Sequence, residues 1–446
     1  MRIAYLTGEY PRVTDTFIQR EVAELRRLGA TVQPFSVRRP RDGQALSQAQ
    51  KEERDRTFYL LPFSPLALLS AHLKSARRLG RYLSALALAW RTRQRGVRGT
   101  LYQLAYFLEA GLLAERLRKE KIMHLHNHIG DSSGTVTMLA SALGGFGYSF
   151  TLHGPGIFFE PYRWRIDQKI LRAKFVCCIS QFCRSQAMIF APMEAWSKLK
   201  IVRCGVDPQL FERSSKRGFE QSSEMLAGPA ALSMSRLAVG VNSGQDLLFV
   251  GRLAAAKGLP VLLESLAQLR VSHPTIHLTV VGDGPDRSRL EQQVDALEIG
   301  RHVDFVGYKS PAAVRRYLRN ADVFVMSSFA EGVPVVLMEA MVARLPVVAT
   351  RIAGISELVE EGKSGFLVPP GDVGTLSDRI SRLLANERLR DRFGIRGEQW
   401  VREAFNSRTE ARKLYALIAE AVGEVSERGR TARTAERRLN LAAARR

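Results

Sequence analysis

At 446 residues, 46% of them apolar, the chain is long enough for two domains with separate cores and too apolar to be read as disordered. Lys and Arg number 66 against 44 Asp and Glu, an excess of 22, which favours a polyanionic partner: nucleic acid, an anionic membrane face or a phosphorylated substrate. No apolar run reaches the ~20 uncharged residues of a spanning helix, and Cys177, Cys178, Cys183 and Cys204 show neither zinc-type pairs nor a secreted disulfide framework, which fits a reduced, cytosolic setting.

The chain opens directly into an apolar strand over 3–6, with no signal peptide ahead of it. A loop, Thr7-Gly8-Glu9-Tyr10-Pro11-Arg12-Val13-Thr14-Asp15-Thr16, leads into a helix over 17–28. There Phe17, Ile18, Val22, Leu25 and Leu28 keep helical spacing, Thr14 or Asp15 can cap, and Gly29 stops the run. A strand over 31–37 follows. Strand, loop, helix and strand in that order begin a doubly wound sheet.

Residues 56–108 contain no Asp or Glu. A helix starting at Ser64-Pro65 carries Leu69, Leu73, Ala76, Leu83 and Trp90 along one stripe and Lys74, Arg77, Arg78 and Arg81 on another face. Two readings stay open: helices packed in the first domain with solvated basic faces, or a membrane-surface segment over 64–98. A second helix over 101–121 ends at a strand over 122–126. His124, His126 and His128 invite a metal, but they share one side only if all are strand, and no Cys or acidic partner is near in sequence. A strand edge opening toward a ligand is the reading kept. The strand over 148–152 runs into His153-Gly154, at the strand end where α/β folds place ligands. Cys177 and Cys178, in an apolar strand over 175–179, read as core thiols, and the first domain closes by residue 211.

Residues 212–245, rich in Ser, Gly and Ala, read as a linker or insertion. A second strand–helix series starts at 246 with Val250-Gly251-Arg252-Leu253-Ala254-Ala255-Ala256-Lys257-Gly258, which puts fixed positive charge on a loop after a strand, as phosphate binding requires. The turn Gly282-Asp283-Gly284 is weak as a dinucleotide signature, because Arg287 stands at the third glycine's place. The segment Val303-Asp304-Phe305-Val306-Gly307-Tyr308, read as a loop, and an apolar strand over 321–326 follow. The latter leads through Ser327-Ser328-Phe329-Ala330-Glu331-Gly332-Val333-Pro334 into a helix over 335–342, so that Glu331 and Glu339 bracket a turn whose backbone N–H groups can face an anion. Strands over 346–350 and 365–368 come last, then helices from 373 to 425 and an Arg-rich tail over 426–446.

The Glu-x7-Glu spacing resembles the donor-site motif of family 4 glycosyltransferases, bacterial exopolysaccharide and colanic-acid-type enzymes among them. The Val-Gly-Arg-Leu-x3-Lys-Gly segment, the Tyr-Pro-x-x-Thr-Asp-Thr-Phe loop and His153-Gly154 look like further signatures of it. The likeness covers about 1–425 and is strongest over 246–370. It implies a GT-B fold of two Rossmann-like domains facing a cleft, 1–211 on the acceptor side and 246–425 binding the donor. It implies a retaining hexosyl transfer from a nucleotide-sugar co-substrate, with no further cofactor, to a glycan or lipid-linked acceptor.

By this resemblance Arg252 and Lys257 neutralise the diphosphate, with Gly332, Val335 and Val336 offering the turn and its backbone donors. Glu339 takes ribose hydroxyls, Tyr308 lies by the base, and Glu331 and His153 attend the transferred sugar. Gly8, Tyr10 and Thr16 face the acceptor. The chain departs from the pattern at Gly156, where relatives often carry an acid, and at Cys204, where Asn is usual. No metal is expected, since no Asp-x-Asp occurs. A lipid-linked acceptor and the basic 64–98 stretch place the protein in the cytoplasm, peripheral on the inner membrane face. Two rivals remain: a sugar-nucleotide epimerase of the same fold, and a nucleic-acid-binding protein. The second lacks an aromatic RNA-binding signature or a Cys/His finger.

Overall fold

The computed structural model describes residues 1–12, 15–40, 47–211 and 244–423. The linker expected over 212–245 falls almost wholly outside them, as do Thr14 and the basic tail. Two compact units result: Met1–Arg203 joined by the chain from Ser407 on, and Cys204–Asn406.

The first unit is built on a parallel sheet of β1 (Arg2–Glu9), β2 (Thr31–Arg38), β3 (Phe58–Tyr59), β4 (His124–His128), β5 (Gly147–Leu152), β6 (Val176–Cys178) and β7 (Leu199–Ile201). Their order is β3-β2-β1-β4-β5-β6-β7. The chain leaves β1 toward β2 and β3, then returns to lay β4 on the other side of β1, with Ala4 opposite Leu125. The order therefore reverses between β1 and β4, which opens a crevice beyond their carboxyl ends. Ile3, Ala4, Tyr5 and Leu6 are all buried, as a strand covered on both faces must be.

Six helices of this unit matter below: α1 (Thr16–Arg27), α2 (Gln48–Arg56), α3 (Pro65–Ala76), α4 (Leu79–Thr92), α5 (Val97–Lys119) and α6 (Ser132–Gly144). Asp15 precedes α1 but makes no side-chain cap; its carboxylate receives Arg12 through two bonds of 2.7 and 3.2 Å. The single helix expected from Ser64 breaks at Arg77-Arg78, giving α3 and α4. The apolar stripe stays outside: Leu69, Leu73, Leu83 and Trp90 are each more than half exposed.

The sequence reading gave 246–425 to the second domain. The helix over 407–423 instead packs in the first unit, burying Leu414, Ile418 and Ala421 against Ile3, Tyr5, Ile18, Val22 and Phe175. Glu410 anchors it by accepting from the Arg203 N–H at 2.8 Å. Of these, Leu414 and Ile418 each contribute roughly 1.5–3 kcal/mol by their burial.

The second unit repeats the plan with β8 (Asp246–Val250), β9 (His277–Val281), β10 (Val303–Gly307), β11 (Val323–Met326), β12 (Val347–Thr350) and β13 (Gly365–Val368). The parallel order is β10-β9-β8-β11-β12-β13, and the reversal lies between β8 and β11. Leu262, Leu263 and Leu266 of the helix Leu259–Leu269 are fully buried against Leu247, Phe249 and Leu278. The four cysteines are free thiols, three of them buried.

Candidate active site

In the second unit, the loop from Ser327 to Pro334 leaves β11 at the reversal point and is braced from both sides. Ser327 Oγ donates to Gly258 O at 2.9 Å, Phe329 N–H to Ala256 O at 2.8 Å, Thr350 Oγ1 to Ser328 O at 2.6 Å and Gly354 N–H to Gly332 O at 3.1 Å. Gly258, at φ +61°, has no room for a side chain: a Cβ there would stand 2.0 Å from Ser327 O. The close approach delivers Lys257 to Glu331, with Nζ 2.5 Å from Oε1, and Ser328 Oγ donates to the same oxygen at 2.8 Å. Two residues far apart in sequence and expected to share a site thus touch directly.

Pro334 precedes the helix Val335–Val342, whose first N–H groups, those of Val335 and Val336 among them, have no partner within the helix. Glu339 sits one turn further on, partly buried, and Arg252 is exposed two residues beyond β8. Tyr308 is half exposed after β10, the edge strand, which β9 and β8 separate from the reversal point.

Gly282 and Gly284 are required by the backbone itself. A Cβ at Gly282, at φ +138°, would meet Gly251 O at 1.8 Å, and one at Gly284 would meet Leu253 O at 2.1 Å. They let the loops after β8 and β9 lie on one another.

In the first unit, β1, α1, β4 and the loop after β5 converge on a line of polar side chains. Tyr5 Oη donates to Glu21 Oε1 at 2.7 Å. His128 Nε2 lies 2.9 Å from the same oxygen, and His128 Nδ1 lies 2.7 Å from His153 Nε2. The two imidazoles stack at 4.9 Å, and Phe17 covers His153 at 4.8 Å. Burial, and then the neighbouring His128, hold His153 well below the ordinary histidine pKa, so it is the neutral ring.

Glu21, His126 and His128 bring ligand atoms within 4.8 Å of one another, the acidic neighbour that sequence distance hid. Both nitrogens of His126 are nevertheless engaged, by Ser149 Oγ at 2.8 Å and Thr151 Oγ1 at 2.9 Å.

Of the expected acceptor-side residues, Gly8 lines a cavity of about 200 Å³ with Arg12, Arg38, Tyr106, Glu109 and Asp131. Thr16 is the first residue of α1. Tyr10 is a correction: it is 2% exposed and its hydroxyl donates to Glu53 Oε2 of α2 at 3.2 Å, so it belongs to the core. An aromatic ring in a Pro-containing loop looks solvent-facing until the helix that covers it is known.

Sequence reasoning missed Glu21, Lys169 and Glu109. Lys169 is buried and donates to Gly130 O and Asp131 O at 2.6 and 2.7 Å, pinning the loop after β4; burial lowers it to about 7. Glu109 Oε2 is buried with no hydrogen-bond partner among the described residues, and burial pushes the carboxyl up to about 7. The one sequence signal for Glu109 is that it ends the acid-free run.

Residues 241–400 match the family model described as Glycosyl transferases group 1. The putative colanic acid biosynthesis glycosyltransferase WcaL of Salmonella typhimurium is 34% identical over 181 residues, 39% of this chain and 44% of that protein. The match thus spans less than half of that relative. The amylovoran biosynthesis glycosyltransferase AmsK of Erwinia amylovora is 25% identical over 426 residues, 87% of this chain and 91% of that one. Among solved structures, Anabaena Alr3699/HepE in complex with UDP-glucose superposes with a TM-score of 0.69 at 18% identity, covering 94% of this chain and all of that one. Sucrose-phosphate synthase of Thermosynechococcus elongatus gives 0.70 at 20% identity, covering 95% and 100%. The fold is GT-B, with two Rossmann-like parallel-sheet domains.

Proposed function

We propose that this chain, which carries a group 1 glycosyltransferase domain over residues 241–400, moves a sugar from a nucleoside-diphosphate donor to a glycan in surface or exopolysaccharide synthesis. The observation that carries the reading is the Lys257–Glu331–Ser328 contact at the reversal point of the second sheet, where α/β folds receive nucleotides. Lys257 can pass from the Glu331 carboxylate to a diphosphate oxygen, supplying charge where the leaving group gains it. The N–H groups at Val335 and Val336 add donors to the same class of anion, and Arg252, exposed nearby in sequence, adds a second cation. Glu331, released from Lys257, becomes an acceptor for a sugar hydroxyl, and Glu339 one for the ribose. The transfer retains anomeric configuration and uses no metal or further cofactor. The names of WcaL and AmsK support a polysaccharide product, and the UDP-glucose bound to HepE supports a sugar-nucleotide donor.

The acceptor is lipid-linked, and the protein meets it on the anionic cytoplasmic membrane face. Exposed Leu69, Leu73, Leu83 and Trp90 on α3 and α4 support this, as does the absence of acids over 56–108. Among the described residues no helix is long and apolar enough to cross a membrane. The test is a panel of nucleotide sugars read by thermal stabilisation. A true donor at a hundred times its dissociation constant adds about 2.7 kcal/mol. If no nucleoside diphosphate or its sugar raises the melting temperature, the reading fails.

A further inference from the structure

Two cavities of the first unit share a wall. The one already described, of about 200 Å³, lies across the carboxyl ends of β1, β2 and β4, where Gly8, Val37 and Ile129 line it. The other, of about 210 Å³, is lined by α5, the start of α6 and the turn Arg163-Trp164-Arg165. Arg38, Tyr106 and Ser132 line both, so the two form one trough.

The ends of the trough differ in charge. Glu9, Asp15, Glu109 and Asp131 line the strand end, and its arginine, Arg12, is already taken by Asp15 at 2.7 and 3.2 Å. Among the described residues no Asp or Glu lines the other end, where Arg38, Arg163 and Arg165 stand. Ser132 and Thr135, in the first turn of the 13-residue helix α6, add that helix's positive end to the same wall. Arg38 is exposed and, among the described residues, makes no side-chain hydrogen bond or ion pair. Arg163 pairs with Glu160 at 2.9 Å, but both side chains are about half exposed. Such a pair is worth little in water and is readily exchanged for a ligand. Arg165 is fixed in place: Asp167 receives it at 3.0 and 2.8 Å and Arg91 O at 3.0 Å, with its backbone at φ +46°. Few residues other than glycine enter that region, and strain of this kind clusters at ligand sites.

The cationic end also borders apolar surface. Tyr102, Gln103 and Tyr106 of α5 line the trough, while Leu101 and Leu104 between them, and Val97 a turn earlier, are each more than half exposed. Two exchangeable guanidinium groups beside exposed apolar side chains match a phosphate that carries an apolar chain.

We propose that this trough grips the acceptor by a lipid phosphate, with Arg38 and Arg163 on the phosphate, the chain along Leu101 and Leu104, and the attached sugar toward the strand end. The inference rests on the reading of the acceptor as lipid-linked, and it names the group this chain holds. A guanidinium fork matches two phosphate oxygens at once. The carboxylates at the strand end repel phosphate and accept sugar hydroxyls, so the acceptor enters in one orientation, its sugar at the carboxyl ends of the strands.

The experiment is calorimetry with three probes below their micelle-forming concentrations: octyl phosphate, inorganic phosphate and octyl glucoside. Octyl phosphate should bind wild type the most tightly of the three. Arg38→Gln and Arg163→Gln should each weaken it by about tenfold or more, the loss of a charged hydrogen bond, and leave octyl glucoside unchanged. Both side chains are exposed, so the melting temperature without probe should stay put. Co-sedimentation with phosphatidylglycerol vesicles should change far less than octyl phosphate binding.

Octyl phosphate binding that survives both substitutions would overturn the inference. Inorganic phosphate binding as tightly as octyl phosphate would remove the apolar chain from it. Vesicle binding lost as steeply as octyl phosphate would assign the arginines to a bilayer headgroup and overturn the acceptor assignment. Should the double variant fail to fold, Arg38→Gln alone is read in the same way. A wild type that turns over no nucleotide sugar yet binds octyl phosphate through Arg38 would sink the proposed function and leave the lipid-phosphate site standing.

Discussion

Replacing Glu109 with glutamine isolates the cost of one buried carboxyl. Glu109 lies on α5, 6% exposed, with Oε2 unpartnered among the described residues. Its pKa stands near 7 instead of 4.5 because burial disfavours the ionised form, an effect Arg38 only partly offsets. In the unfolded chain the group ionises above 4.5, while in the folded protein it holds its proton to about 7. Between those values the folded state binds more protons, so stability falls as pH rises. The gap of about 2.5 pH units, at about 1.36 kcal/mol each, is an upper figure of about 3 kcal/mol, fully present above pH 7 and gone below 4.5. Glutamine cannot ionise, so Glu109→Gln should gain on wild type by up to that amount from pH 4.5 to 8. Trp90, Trp164 and Trp196 lie in the first unit, so urea unfolding followed by tryptophan fluorescence at several pH values reads it. Parallel pH profiles for the two proteins would refute the reasoning, since every other titrating group cancels in the difference.

Lys257→Ala should weaken nucleoside diphosphate binding and slow transfer together by about 2–4 kcal/mol, seen by calorimetry and turnover; rates within a few-fold of wild type would remove Lys257 from the site. Turnover should survive EDTA, because the ring nitrogens of His126 are already held by hydroxyls; activity lost in EDTA and restored by Mn²⁺ would contradict this. Co-sedimentation with anionic vesicles should fall when Leu69, Leu73, Leu83 and Trp90 are changed to Ser. It should fall less for Arg77→Glu with Arg78→Glu, at about 1 kcal/mol per basic residue. Equal binding by all of these proteins would place the membrane contact elsewhere.

The elements that read most clearly were those whose pattern is local. The helix Val335–Val342 and the strand Gly365–Val368 fall where a proline, a glycine and an apolar run of four place them. Lys257 and Glu331 were legible as residue types at characteristic positions, although their ion pair was not. What stayed hidden depends on which element covers which. Glu21 reads as one more polar residue on an amphipathic helix, and only the register of β1 and β4 aims it at Tyr5 and His128. The break at Arg77-Arg78 carries no glycine or proline. The basic quartet read as one face is split by it: Lys74 pairs with Glu115 at 3.3 Å, and Arg81 turns to Gly144 O at 3.4 Å.

The helix over 407–423 has a consequence for synthesis. Val206 and Asn406 pair as a β-bridge, and the Val206 N–H donates to Phe405 O at 2.9 Å, so the second unit enters and leaves at one point and is an insertion within the first. On a ribosome, domains ordinarily fold in the order in which they emerge. Here everything the second unit needs has been made once Asn406 is clear, while the opening sheet still lacks Leu414, Ile418 and Ala421. Until those residues arrive, Ile3, Tyr5 and Val22 have an uncovered face, and a chain stalled or cut between 406 and 414 would carry a finished second unit beside a sticky, unfinished N-terminal one. The part of the protein translated first is the last to be completed.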